Sequence, residues 1–296
     1  MTGGWLQVPE YARFAADFFI LRRERPYVLG LVTNDTCNLH CIDCRVANTW
    51  HYNMTFDEVR SHLERYYARG VRFLYLEGGE PYLWRDGKRR IRDVIRLAHD
   101  IGYLRVHLYT NGTIPLDAHP DFTWISIDGT GDTFKKIRGI SLERVLRNVR
   151  GFAEPHAIVH VINAINYREI RAFLDYCQAE LPNTPVLFYF HTPYYGIDEL
   201  YLSEQQRRDA VDTIMACKRD GLPVLNSKPA LDAYLEGNPD LPVGYWYVVD
   251  QTGDYRCCRV AGNPDICRDC GYTTCNEMLL ARDWNPEAIA SMLRMF

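Results

Sequence analysis

The chain has 296 residues, with 34 Lys and Arg against 38 Asp and Glu, and a formal net charge of −4. This balance argues against nucleic acid as the main partner, because a protein that tracks phosphates normally presents a net basic surface. With 47% apolar and 24% charged residues there is ample material for a large core. The sequence has no run of 18 apolar residues and no basic-then-apolar leader, so a cytoplasmic protein is expected.

Residues 1–26 hold a helical stretch with Tyr11, Phe14, Ala15 and Phe18 on one face and Arg22, Arg23 and Arg25 at its end. Two readings stay open: a helix packed on the edge of the fold, or an interfacial helix in peripheral contact with membrane lipid. Residues 27–33 (YVLGLVT) read as a buried strand, and 55–69 as an amphipathic helix. That helix opens with Thr55 at the N-cap and Glu58 three residues on, a capping box, and stops at Gly70. Strands follow at 71–76, 105–109 and 122–127, with a helix over 89–101 ended by Gly102 and another opening at Ser141. A fifth strand at 157–162, a helix at 167–180 and a sixth strand at 185–190 complete the repeat. Apolar strands separated by such helices signal right-handed βαβ units and a parallel sheet. Six units without a dinucleotide glycine fingerprint favour an α/β fold of the partial (β/α)6, TIM-like barrel type. The expected organisation is an N-terminal amphipathic helix (1–26), a core barrel (27–200), a helical connector (201–243) and a small Cys-rich C-terminal extension (244–296). The extension's short aromatic pieces cannot build a large core without a staple.

Ten cysteines are the unusual number. Cys177 and Cys217 lie in helical stretches and read as buried small side chains. The other eight form two tight groups, which in a reducing compartment point to metal rather than disulfides. Cys37, Cys41 and Cys44 form C-x3-C-x2-C in the loop after the first strand. Three thiolates can hold three irons of a [4Fe–4S] cluster and leave the fourth iron open; zinc would want a fourth ligand, for which His40 or His51 are available. Near the end stand Cys257, Cys258, Cys267, Cys270 and Cys275.

The first group, with the motifs around it, resembles the radical S-adenosylmethionine (SAM) superfamily, whose partial (β/α)6 barrel carries this loop after its first strand. The resemblance covers roughly residues 27–200. Gly78-Gly79-Glu80-Pro81 follows the second strand and matches the family's GGEP segment, which holds the SAM amino group. Tyr109-Thr110-Asn111-Gly112 matches its TNG segment. Ser126-Ile127-Asp128-Gly129 and Arg138-Gly139 match regions that contact the SAM ribose and carboxylate, so Ser126, Asp128 and Arg138 are candidates, as is Asn163 at the end of the fifth strand. Each motif ends a strand, where (β/α) barrels put their chemistry. One departure is Asp43, which fills the position before the third cysteine where the family often has an adenine-contacting aromatic; Tyr109 and Trp50 are alternatives. The C-terminal group resembles a twitch or SPASM auxiliary-cluster extension. A second [4Fe–4S] cluster would use Cys267, Cys270, Cys275 and either Cys258, which is preferred, or Cys257, with structural zinc as the alternative.

The resemblance implies a radical enzyme of oxidoreductase type. A flavodoxin- or ferredoxin-type low-potential donor reduces the cluster, SAM is cleaved reductively to methionine and a 5′-deoxyadenosyl radical, and the radical abstracts hydrogen from, or adds to, the substrate. Residues 190–195 end the sixth strand at the barrel mouth, so His191 and Tyr194 are the candidates for catalytic contact with substrate. Asn226 and Ser227 are further candidates for lining the site. The substrate is a small molecule or lipid, by loose similarity to the adenosylhopane synthase group, or a peptide, as for twitch/SPASM maturases. A non-catalytic iron–sulfur or zinc protein is disfavoured by the SAM-contact motifs.

Overall fold

The computed structural model describes residues 4–44, 46–194, 196–237, 244–258 and 261–295. Six parallel strands lie side by side in chain order: β1 (Val28–Val32), β2 (Phe73–Glu77), β3 (Arg105–Thr110), β4 (Phe122–Ser126), β5 (His156–Ile162) and β6 (Val186–Phe190). β1 and β6 are buried along their whole length, as all-apolar strands of a covered parallel sheet should be. This is the partial barrel that the strand–helix alternation implies.

An N-terminal helix, α1 (Gly4–Ala15), runs through a π-helical turn, Ala16–Ile20, into the strand region. Phe14 packs on Tyr27 and Phe73 with ring centroids 5.3 and 4.9 Å apart, and Phe18 lies 5.5 Å from Tyr27. Tyr27 and Phe73 stand at the starts of β1 and β2, so these aromatics cap the N-terminal end of the barrel. The aromatic face of this helix thus packs on the barrel's edge, with Phe18 buried and Tyr11 and Phe14 half-buried. No helix among the described residues is long and apolar enough to cross a membrane.

The crossover helices begin with α2 (Phe56–Ala68), whose capping box is formed: the Glu58 N–H donates to Thr55 Oγ1 and the Thr55 N–H to Glu58 Oε2 at 2.7 Å. α3 (Ile91–Ile101) ends in a left-handed Gly102. After β4 the single helix expected at Ser141 is two: α4 (Gly131–Arg138) and α5 (Glu143–Val149). Gly129, Gly131 and Gly139 sit around α4 and hide a short helix from a reading that treats glycine as punctuation. α6 (Ile170–Glu180) and α7 (Glu204–Arg219) follow, with Cys177 and Cys217 buried in the core.

The Cys-rich C-terminal region joins the sheet. β7 (Trp246–Asp250) pairs in parallel with β1, and β8 (Gly253–Arg256) returns beside it, extending the sheet to the order β6-β5-β4-β3-β2-β1-β7-β8. α8 (Lys228–Glu236) precedes β7; after β8 come α9 (Pro264–Cys267), α10 (Thr273–Arg282) and α11 (Pro286–Met295), the last two packing on α8. At the β6 edge the Phe190 N–H donates to the Gly271 carbonyl at 3.0 Å. The approach admits only glycine: a Cβ on Gly271 would stand 1.8 Å from the Phe190 carbonyl oxygen.

Asn226 and Ser227 belong to this seam and not to the site. The Asn226 amide accepts from Phe188 N–H at 2.8 Å and donates to the Phe188 carbonyl and Thr273 Oγ1 at 2.9 Å each, acting as a one-residue strand against β6. Ser227 caps α8, accepting from the Ala230 N–H. Both are fully buried.

Glu277 on α10 is also buried and accepts from the Ser227 N–H at 2.6 Å; burial pushes its carboxyl from 4.5 up to about 7. A carboxyl raised this way holds its proton more tightly when folded. Its stabilising contribution is complete below about pH 4.5 and is lost as pH rises through about 7. Between pH 5 and 8 the wild type should lose on the order of 3 kcal/mol more stability than Glu277→Gln. Urea unfolding at both pH values checks this; parallel pH profiles for the two proteins would refute it.

Candidate active site

Local packing first fixes the loop that carries Cys37, Cys41 and Cys44. The Asn48 side chain accepts from the Cys37 N–H at 2.8 Å and donates to the Leu39 carbonyl at 3.1 Å, holding the loop's first turn. A turn joins the Cys44 N–H to the Cys41 carbonyl, and the Ile42 N–H reaches the Ile137 carbonyl at 3.0 Å, tying the loop to α4. On the other side the Gly79 and Glu80 N–H groups donate to the carbonyls of Asn34 and Thr36. A Cβ on Gly79 would lie 2.3 Å from the Asp35 carbonyl oxygen, so this glycine serves loop-to-loop packing as well as any ligand.

Glu80, the candidate acceptor for an ammonium, is fully buried. Its carboxylate accepts from Thr110 Oγ1 at 2.9 Å, the Asn111 N–H at 2.8 Å and the Tyr82 N–H at 3.1 Å. Burial raises it to about 7 despite these donors. Asn111, placed by that contact, donates to Asn38 Oδ1 at 2.9 Å and to Cys37 Sγ at 3.6 Å. Asp128 is likewise buried: it pairs with Arg138, whose Nε lies 2.6 Å away, and accepts from the Val161 N–H at 2.7 Å. Arg138 points on toward Cys41 Sγ, 3.9 Å from its Nη1. Burial pushes the Cys41 thiol up to about 12, with Arg138 opposing the rise.

These residues surround one open cavity of about 790 Å3. Cys37, Cys41, Cys44, Gly78, Gly79, Pro81, Thr110, Asn111, Ser126, Arg138, His191 and Tyr194 all line it, which brings most of the sequence candidates together. Glu80, Asp128 and Asn163 do not; the first two position neighbours, and Asn163 is a buried residue that accepts from the Ile165 N–H. Of the two alternatives for adenine, Tyr109 lines the cavity and Trp50 lies on the surface. His191 is oriented by Asp198: its Nε2–H donates to both carboxylate oxygens at 3.0 Å. Asp198 lines the cavity too, as do Glu77 and Tyr272. Sequence reasoning missed all three. Glu77 directly precedes the glycine pair and gave a usable signal; Asp198 and Tyr272 come from loops with none.

The cavity continues inward. A second space of about 360 Å3 shares Glu77, Gly78, Tyr109, Ser126, Tyr194 and Tyr272 with the first and descends inside the barrel past Tyr75, Trp124 and Tyr189. Burial raises all five tyrosines, so they are neutral phenols at physiological pH. Cys257, Cys258, Cys270 and Cys275 border its far side. The Cys257 thiol hydrogen-bonds with those of Cys258 and Cys275, and Cys267 and Cys270 interact electrostatically with the group. No three of the described His, Cys, Asp or Glu residues stand as a ready-made site for a single metal ion. The three thiols on one loop, with the Leu39 N–H and the Asn111 amide directed at Cys37 Sγ, suit an iron–sulfur cluster.

A partial (β/α) barrel with a three-thiol loop at its C-terminal mouth and a chamber beneath defines an enzyme built to work beside a metal cluster. Residues 31–177 match the radical SAM superfamily, and the chain belongs to that superfamily. The AdoMet-dependent heme synthase of Methanosarcina barkeri (strain Fusaro / DSM 804) is 31% identical over 152 residues, 45% of this chain and 42% of that protein. The match thus spans less than half of the curated relative. Streptococcus suis SuiB bound to S-adenosylmethionine shares the fold with a TM-score of 0.65 at 14% identity, over 87% of this chain and 66% of SuiB. Native anSMEcpe with bound AdoMet and Kp18Cys peptide matches at 0.61 and 16% identity, over 90% of this chain and 82% of its own.

Because Glu80 sets Asn111 and Thr110 on the cavity wall, Glu80→Ala should weaken SAM binding by roughly tenfold or more. Isothermal titration of SAM into the reconstituted protein reads this, with circular dichroism confirming the fold. Unchanged affinity would show that the TNG loop holds its place without the carboxylate.

Proposed function

We propose that Cys37, Cys41 and Cys44 hold a [4Fe–4S] cluster with one open iron, that SAM binds beside it, and that the enzyme modifies a compact, largely apolar small molecule in the chamber below. The observation that carries this reading is continuity: one space runs from the three thiols, past Ser126 and Arg138, into a tyrosine-lined interior closed by the aromatic cap of α1. When bound, the cluster and SAM together supply reductive cleavage of the S–C5′ bond to methionine and a 5′-deoxyadenosyl radical that takes a hydrogen atom from an unactivated carbon. The chain's own residues bind, orient and exclude water. Arg138 offers a cation, kept in place by Asp128, beside Cys41. Ser126 presents a hydroxyl to both spaces. The Asp198 carboxylate accepts from His191 Nε2–H and fixes the orientation of the ring on the cavity wall. Tyr194 and Tyr272 present neutral phenols where the two spaces join.

Four of the five C-terminal thiols would hold a second [4Fe–4S] cluster, with Cys258 or Cys257 as the fourth ligand. A second substrate reading is a peptide that inserts one side chain. It is favoured by the open upper cavity, and by solved relatives of the same fold that are bound to peptides: SuiB with its precursor peptide SuiA, and anSMEcpe with Kp18Cys peptide.

Anaerobic reconstitution with iron and sulfide counting tests the metal assignments. About eight irons per chain are expected, whereas about four with one zinc would make the C-terminal site structural. Adding SAM should perturb the EPR signal of the reduced cluster. The triple variant Cys37→Ala, Cys41→Ala, Cys44→Ala should release no 5′-deoxyadenosine; retained release would sink the assignment.

A further inference from the structure

β2 sends Phe73, Tyr75 and Glu77 into the barrel, because side chains two residues apart share one face of a strand, while Leu74 and Leu76 join the core under α2 and α3. Tyr75 lies across the backbone of Gly30, its register partner on β1. A Cβ on Gly30 would stand 2.3 Å from that ring, so a glycine is what leaves room for the phenol inside the barrel. From Tyr75 the aromatic wall is continuous. Its ring meets Tyr109 edge-on at 5.8 Å, Tyr109 stacks on Trp124 at 5.8 Å, and the Tyr109 and Tyr189 hydroxyls stand 3.5 Å apart. Tyr189 packs on Tyr272 at 5.3 Å, and Tyr272 on Tyr194 at 6.3 Å. Glu77 stands beside this wall, and among the described residues it is the acid that lines both spaces. Burial raises the phenols of Tyr75, Tyr109, Tyr189 and Tyr272, and the charge on Glu77 adds to the rise at all four, so the carboxylate is within Coulomb reach of each. The arginines of the lining are placed elsewhere: Arg138 is held by Asp128, and Arg105 starts β3, about 13 Å along the strand from Tyr109.

The face of an aromatic ring is negative and attracts a cation, most strongly where water is excluded. A carboxylate has about four acceptor sites on its two oxygens, so it can serve a ligand's donors while keeping contacts within the protein. An occupant with neither charge nor N–H would take water from Glu77 and return nothing for it. We propose that Glu77, with the rings of Tyr75, Tyr109 and Tyr272, binds a positively charged nitrogen of the substrate. The substrate is then an alkylammonium, an apolar chain or ring that carries a protonated amine. This rests on the substrate reading above and narrows it: the apolar part fills the inner space, and the nitrogen is held where the two spaces join. The same group can arrive as a free amine or as the lysine side chain of a peptide.

Calorimetric titration into the reconstituted chain, with SAM present, compares probes of one shape: n-pentylammonium, pentan-1-ol and pentanoate. The ammonium should bind roughly tenfold tighter than the alcohol, and pentanoate more weakly than either. Glu77→Gln keeps the shape and removes the charge, so it should weaken the ammonium by roughly tenfold and leave the alcohol within about twofold. Tyr109→Leu removes the central ring and should cost the ammonium more than the alcohol; equal losses would overturn the part given to the rings. Circular dichroism confirms the fold of both variants. An end-capped tripeptide with a central lysine separates the sources: tighter binding than pentylammonium assigns the nitrogen to a peptide side chain, weaker binding to a free amine. Equal affinity of wild type for ammonium and alcohol, or equal loss of both in Glu77→Gln, would overturn the site. So would a tenfold loss of SAM affinity in Glu77→Gln, which would give the carboxylate to SAM instead. The iron count and SAM cleavage read the cluster assignment separately. Their failure beside Glu77-dependent ammonium binding would leave this site standing, and their success beside indifferent binding would overturn the site alone.

Discussion

A single buried carboxylate holds the candidate site together. Glu80 takes hydrogen bonds from the loop after β2 and from the loop after β3, and through Asn111 it reaches the loop that carries Cys37. Removing a carboxylate from water is costly, and here that cost is offset by three hydrogen-bond donors. The outcome is a fixed spacing between the three thiols and the cavity wall. A mobile glutamate facing the ligand could not provide that spacing.

The barrel's open side is the second constraint. β1 and β6 do not pair with each other, so each presents an edge that must be covered. The C-terminal region covers both: β7 pairs with β1, while Gly271, Thr273 and the Asn226 amide satisfy β6. Cys257, Cys258, Cys270 and Cys275 lie along this closure and border the inner space that adjoins the cavity of the three-cysteine loop. An enclosed chamber matters for radical chemistry, because water and stray hydrogen donors have to be kept from the reacting carbon.

Much of this was legible in the sequence, and for identifiable reasons. The Thr55–Glu58 capping box, the left-handed Gly102 and the apolar β1 and β6 are set by local chemistry within a few residues. The motifs at the strand ends converge because a parallel barrel sends every strand's C-terminal end to one face. Less legible were residues whose type fits two roles. Glu80 and Asp128 are acidic groups beside the cavity, and their hydrogen bonds to neighbours are visible only in the fold. Asn226 and Ser227 follow a strand-like run but serve the seam and a helix cap. The aromatic face of α1 could be read as edge packing or as a lipid contact, and its packing on Tyr27 and Phe73 is visible only in the fold.

The sequence by itself determined the class of fold, the three-cysteine loop and its place after β1, and the two groups into which eight cysteines fall. Those features depend on spacing and on periodicity along the chain. Only the tertiary structure decided which polar groups face the cavity, that the two cysteine groups border one continuous space, and that the last fifty residues complete the sheet. These depend on contacts between segments tens to hundreds of residues apart, such as Asn111 with Cys37 and Gly271 with Phe190. No local pattern encodes such contacts, because either partner would look the same with the other removed.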